Sequence, residues 1–107
     1  MTTTIELVRY QLKDGVSATE LQATHEGVNT FLKQQPGFIY RSNSQDPDGT
    51  LYDIVYWQSM EQAQAAGEAF MNSNACQALM TITDETSVNM THMPVSSEVL
   101  NEEMAGA

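Results

Sequence analysis

Two kinds of hydrophobic periodicity alternate along this chain of 107 residues, and their order restricts the fold more than any other feature. A period of two residues, typical of strands, occupies residues 5–12, 38–43, 51–57 and 87–93. A helical period occupies residues 18–34 and, in two pieces, the region from 60 to about 82. The order strand, helix, strand, strand, helix, strand predicts an α+β fold of the ferredoxin-like split βαβ type.

Short polar motifs mark where the helices begin. Ser17 and Glu20 have the spacing of a capping box, in which each side chain bonds to a free amide of the first turn. Ser59 and Gln62 repeat that spacing before the second helix, and Asn72-Ser73-Asn74 offers a cap for a short third helix.

The strands are apolar on both faces, although helices are expected on one face only. The residues on the second face of the four-stranded antiparallel sheet are Ile5, Leu7, Ile39, Tyr52, Ile54 and Tyr56. An exposed apolar sheet of this size implies a partner, most economically a second copy of the chain. We therefore predict a homodimer, with one domain over residues 1–94 and an acidic C-terminal tail over 95–107.

The charge distribution excludes two classes of partner. The chain has a net charge of −10, and no Lys or Arg follows Arg41. Nucleic acids and anionic membrane surfaces both need clustered basic side chains, so we expect neither as a partner. The single cysteine, Cys76, cannot form an internal disulfide, and the N-terminus has no secretory pattern, which together predict a cytoplasmic protein.

The chain resembles the dimeric α/β-barrel superfamily, in particular small proteins similar to antibiotic-biosynthesis monooxygenases. The resemblance covers about residues 4–94, and its motifs are Lys13-Asp14-Gly15-Val16-Ser17, Gln35-Pro36-Gly37-Phe38, Tyr56-Trp57-Gln58-Ser59-Met60-Glu61-Gln62-Ala63 and Met90-Thr91-His92. It implies a dimeric barrel with a pocket between sheet and helices, which Trp57 lines. The haem-degrading members have an asparagine, a tryptophan and a histidine where this chain has Val8, Phe70 and Met80, so the resemblance implies no haem and no other cofactor.

The sequence offers one candidate catalytic pair. His25 lies on the inner stripe of the first helix, where a hydrophobe is expected, and Asp53 shares a strand face with Val55 and Trp57. If both side chains point into one space, the carboxylate orients the imidazole and raises its basicity. The predicted substrate-binding residues are Tyr10, Trp57, Phe70 and His92. Two histidines and one cysteine have no zinc-like spacing, so we predict no metal site.

Each candidate has a structural alternative, and the sequence leaves both open. Asp53 can pair with Arg41 or Arg9 across strands, and His25 can be a core or interface histidine. Trp57 and Phe70 can belong to the core. Two functions follow: a cofactor-free monooxygenase-like enzyme acting on a small apolar or aromatic molecule, or a non-catalytic homodimer that binds a small ligand or serves as a scaffold.

Overall fold

The computed structural model describes residues 3–101 and has the predicted order of elements. The elements are β1 (Thr4–Leu12), α1 (Ala18–Lys33), β2 (Phe38–Gln45), β3 (Leu51–Trp57), α2 (Met60–Met71), α3 (Asn74–Ile82) and β4 (Thr83–Pro94). The last strand begins four residues earlier than residue 87, where the periodicity placed it. Thr83 ends α3 in an extended conformation and pairs directly with Leu12, so no loop separates the helix from the strand.

The predicted caps are present, with one difference. Ser17 and Glu20 form the complete capping box of α1. The Ser59 hydroxyl accepts a hydrogen bond from the Gln62 backbone amide at 3.2 Å and donates one to the Gln62 side-chain oxygen at 3.3 Å. This second bond replaces the bond from the Ser59 backbone amide to the Gln62 side chain that a complete capping box has. Ser73 caps α3 in the predicted way.

The four strands form one antiparallel sheet in the order β2-β3-β1-β4, and the helices cover one of its faces. Two clusters of buried residues join helices to that face. The first consists of Val28, Leu32, Val55, Trp57, Ala63 and Ala66. The second consists of Tyr10, Leu21, Leu51 and Ile82. The predicted ferredoxin-like α+β fold is therefore confirmed.

The opposite face of the sheet is largely apolar. The register places Ile5 beside Tyr56 and Leu7 beside Ile54, and Tyr40 contacts Tyr56 edge-on with ring centroids 6.1 Å apart. The β2–β3 register shifts between Phe38 and Tyr40, so Tyr40, not Ile39, lies opposite Tyr56. Ile39 lies at this bulge, between Phe38 and Tyr40, and is 49% exposed.

The predicted acidic tail lies partly outside the described residues. Within residues 95–101 there is no helix or strand, and the Val95 amide donates to the Thr3 carbonyl at 2.8 Å. Residues 102–107, which include two of its acidic side chains, are not described. None of the helices within 3–101 has the length and apolarity needed to cross a membrane.

Candidate functional site

A buried guanidinium is the centre of a polar network between the two hydrophobic clusters. Arg41 Nε lies 3.1 Å from both carboxylate oxygens of Asp53, and Nη2 lies 2.5 Å from Oδ2. The two side chains are only 6% and 13% exposed, so this is a buried ion pair. Of the two partners that the sequence left open for Asp53, the structure has Arg41. Arg9 is paired opposite Tyr52, on the other face of the sheet from Asp53.

Arg41 also separates the predicted catalytic pair. His25 Nδ1 lies 3.4 Å from Arg41 Nη2, which itself binds Asp53. The imidazole and the carboxylate lie on either side of the same guanidinium group, and Arg41 Nη2 contacts both of them. A guanidinium presents several donors in a plane and can satisfy both oxygens of a buried carboxylate, whereas an imidazole offers one N–H at a time.

The contact with Arg41 determines the state of His25. A guanidinium donates but cannot accept, so Nδ1 accepts and a neutral ring carries its proton on Nε2. Burial, and then the Arg41 charge, lower the pKa of His25 below its usual value of 6.5, although Asp53 acts in the opposite direction. His25 is therefore a neutral imidazole at pH 7, half-buried at the inner side of α1.

Two asparagines, which the sequence interpretation missed, complete the network. Asn43 Nδ2 donates to Asp53 Oδ2 and to the Tyr10 hydroxyl, both at 3.0 Å. Arg41 Nη1 donates to Asn29 Oδ1 at 2.8 Å. The signals were present: Asn29 follows His25 by one helical turn, and Asn43 lies directly opposite Asp53 once the β2–β3 register is known. Burial raises the pKa of Tyr10 above 10.0, so its hydroxyl is protonated.

The predicted aromatic residues lie in the hydrophobic core. Trp57 is 1% exposed within the first cluster, and Phe70 packs against that cluster and contacts Phe31 with ring centroids 5.3 Å apart. The Trp57 indole Nε1 is buried and has no hydrogen-bond partner among residues 3–101. A buried donor without an acceptor is uncommon and requires an explanation.

His92 belongs to a separate polar pair. Its Nε2 lies 3.0 Å from Glu6 Oε1, because the β1–β4 register places the two residues opposite each other. Burial raises the pKa of Glu6 above its usual 4.5, although the hydrogen bond with His92 acts in the opposite direction. No hydrogen bond within the described residues joins this pair to the Arg41 network. Glu6 was the other residue that the sequence interpretation missed.

Two recesses in the surface lie outside this network. One, of about 500 Å³, is formed by the start of α1 alone, and a second, of about 570 Å³, lies between α1 and the start of α3. Neither is lined by His25, Asp53 or Trp57. The network is reached from solvent at Asn29, which is exposed, and at the half-buried His25.

Metal binding and thiol chemistry have little support in the described part of the chain. Within residues 3–101, no group of three or more His, Cys, Asp or Glu side chains is placed to hold a metal ion. Cys76 is buried, and burial raises the pKa of its thiol above 9.0, which disfavours the reactive thiolate.

Comparison with solved structures places this fold among known proteins. No protein-family profile and no curated protein matches the chain. SnoaB, a cofactor-independent oxygenase from Streptomyces nogalater, is 13% identical over 94% of this chain and 97% of its own, with a TM-score of 0.65. A monooxygenase from the gene ActVA-Orf6 of Streptomyces coelicolor, in complex with nanaomycin D, is 15% identical over 94% of this chain and 93% of its own, with a TM-score of 0.72.

A third structure, Rv0793 from Mycobacterium tuberculosis, is 13% identical over 92% of this chain and all of its own, with a TM-score of 0.73. Identities this low establish the fold and leave the activity open. The resemblance inferred from the sequence is thus confirmed at the level of the fold: this chain has the ferredoxin-like fold of the antibiotic-biosynthesis-monooxygenase-like proteins.

Proposed function

We propose that the chain is a cofactor-independent, monooxygenase-like enzyme that acts on a small aromatic molecule with an acidic hydroxyl, such as a phenol or an anthrone. The observation that carries the proposal is the long contact of 3.4 Å between the neutral His25 imidazole and the Arg41 guanidinium. It brings together a proton acceptor and a fixed hydrogen-bond donor, which are the two groups that formation of a phenolate requires.

The proton step uses this contact. The substrate hydroxyl takes the place of the weak His25–Arg41 interaction, and its proton moves to His25 Nδ1. The oxygen anion then lies between the imidazolium and the guanidinium. Asp53 and Asn29 hold the guanidinium in place, so little reorganisation is needed when the charge develops. The half-buried position of His25 allows the ring to rotate aside as the substrate enters.

The electron-rich anion then reacts with dioxygen, which is the oxidant. For an anthrone, one oxygen atom becomes the new carbonyl oxygen of the substrate carbon. An anthrone enters as its enol, so the proton that His25 takes from the hydroxyl is one of the two hydrogens that this carbon loses overall. His25 returns that proton, and the other oxygen atom leaves as water with both hydrogens. The substrate supplies all the electrons, so no further reductant enters the balance.

We further propose that the active form is a homodimer joined through the open face of the sheet. This face carries the apolar side chains Ile5, Leu7, Tyr40, Ile54, Tyr56 and Met93. Stable specific interfaces bury at least about 1,200 Å² in total, and two such faces packed together supply an area of that order.

Oxygen consumption with 1,8-dihydroxyanthrone as probe tests the enzyme proposal. We expect uptake above the rate of spontaneous oxidation with the native chain, and a loss of about 10²-fold or more of that excess in His25→Gln, because a positioned base contributes about 10²–10⁴-fold. Glu26→Gln is the matched control, since Glu26 is the exposed neighbour of His25 on the same helix and lines the separate recess between α1 and α3. Equal rates in the His25 and Glu26 variants would contradict the proposal.

The alternative function is a non-catalytic homodimer that binds a small ligand or acts as a scaffold. It is favoured by one observation: neither surface recess reaches His25 or Trp57. The same oxygen measurement separates the two functions, because a scaffold leaves the rate of spontaneous oxidation unchanged.

A further inference from the structure

Every formal charge inside the network has a partner. Arg41 binds the Asp53 carboxylate through Nε and Nη2, and its remaining contacts are with the uncharged groups Asn29 and His25. Glu6, another acid on this face of the sheet, is hydrogen-bonded to His92. An incoming molecule therefore finds a guanidinium but no unpaired positive charge.

We propose that Asp53 sets the charge selectivity of the site: by neutralising Arg41, it makes the site accept uncharged hydroxyaromatic molecules and reject carboxylates and phosphates. The inference rests on the proposed function and adds the substrate class to it. It assigns to Asp53 a role in specificity in place of the direct pairing with His25.

The reason is the charge balance before and after proton transfer. A neutral substrate leaves the site neutral on binding, and afterwards the new imidazolium at His25 balances the new anion. The attraction of an anionic substrate to Arg41 is instead opposed by Asp53, whose oxygens lie within 3.1 Å of the same guanidinium. A net charge of −10 on the whole chain acts in the same direction.

Binding of a matched pair of probes tests the inference. The probes are 2-naphthol, which is uncharged at pH 7, and 2-naphthoate, which has the same rings and a negative charge. Binding is followed by NMR through the ring signals of His25, while His92 reports binding elsewhere. We expect the native chain to bind 2-naphthol at least about tenfold more tightly than 2-naphthoate.

Asp53→Asn frees the charge of Arg41 and is expected to increase the affinity for 2-naphthoate at least tenfold, with a smaller change for 2-naphthol. Asp48→Asn is the matched control, because it makes the same change in net charge at an exposed turn. The double variant Arg41→Gln/Asp53→Asn has no free cation and is expected to lose the gain. A gain for 2-naphthoate that persists in the double variant would overturn the inference.

Asn29→Lys covers the case in which Asp53→Asn does not fold. Asn29 is exposed and accepts from Arg41, so a lysine there adds an unpaired cation at the entrance without burying one. It should also increase 2-naphthoate affinity, and the absence of a gain in every folded variant overturns the inference. If the native chain binds neither probe at His25, the proposed function fails together with it; equal binding of both probes overturns the charge selectivity alone.

Discussion

Replacing Arg41 with methionine tests whether the buried ion pair organises the site. The substitution keeps most of the side-chain volume but leaves the Asp53 carboxylate with Asn43 as its remaining partner. Both members of the pair are nearly inaccessible, at 6% and 13% exposed, so solvent cannot compensate for the lost charge. Breaking a buried pair by removing one partner costs about 3–5 kcal/mol, a large share of the roughly 5–15 kcal/mol that stabilises a domain.

The assay is urea unfolding followed by the fluorescence of Trp57, the single tryptophan, which is 1% exposed. With a slope of roughly 1.5–2 kcal/mol per molar urea, the expected loss lowers the midpoint by roughly 1.5–3 M. All variants are compared at one protein concentration, because a dimer is stabilised by mass action.

The double variant Arg41→Met/Asp53→Leu is the control for lost packing. Replacing both charges with apolar groups is often neutral or stabilising, so the double variant should be clearly more stable than Arg41→Met alone. A cost below about 1 kcal/mol for Arg41→Met, or a double variant that is less stable than either single variant, would refute the reasoning.

Four further predictions follow from named contacts. The pKa of His25 lies below 6.5, so the unfolded chain binds this proton more tightly than the folded chain does, and the free energy of unfolding falls as pH decreases below 6.5. His25→Gln should remove this pH dependence when unfolding is measured across that range. The pKa of Glu6 is raised above 4.5, so the folded chain binds this proton more tightly than the unfolded chain does. The free energy of unfolding should therefore rise as pH falls towards 4.5, and Glu6→Gln should abolish that rise. Ile54→Lys should convert a dimer to the 11.8 kDa monomer in sedimentation, whereas the exposed substitution Thr19→Lys should not; a native chain that sediments only as monomer disproves the dimer. Haemin should produce no stoichiometric Soret shift, because Val8, Phe70 and Met80 stand where the haem-degrading proteins have their functional residues; a histidine-ligated spectrum would disprove this.

Periodicity and caps were enough to predict the order and type of the elements. Capping by Ser17 and alternation in β3 depend on neighbours in sequence, so they are readable from a single chain. They also placed Asp53 and His25 on the buried side. The bulge at Ile39 and the early start of β4 were missed because both result from pairing between strands.

The partners within the site depend on strand register, which the local pattern does not specify. Asp53 had two candidate arginines in the sequence, and only the pairing of β3 with β1 and β2 places Arg41 on its side of the sheet and Arg9 on the other. The Glu6–His92 pair joins residues 86 positions apart and has the same origin. Long-range polar contacts of this kind require knowledge of the register before they can be predicted.

The pH dependence of oxygen uptake with 1,8-dihydroxyanthrone shows whether the neutral imidazole of His25, next to Arg41, is the base. A base must be neutral to accept a proton, so the account predicts that kcat/KM falls on the acid side with a midpoint below 6.5. In Arg41→Met the lowering effect of the guanidinium on the His25 pKa is lost, and the midpoint should move to higher pH, even though the rate itself decreases. An acid limb that is unchanged in Arg41→Met, or oxygen uptake no faster than spontaneous oxidation at any pH, would show that His25 is not the base.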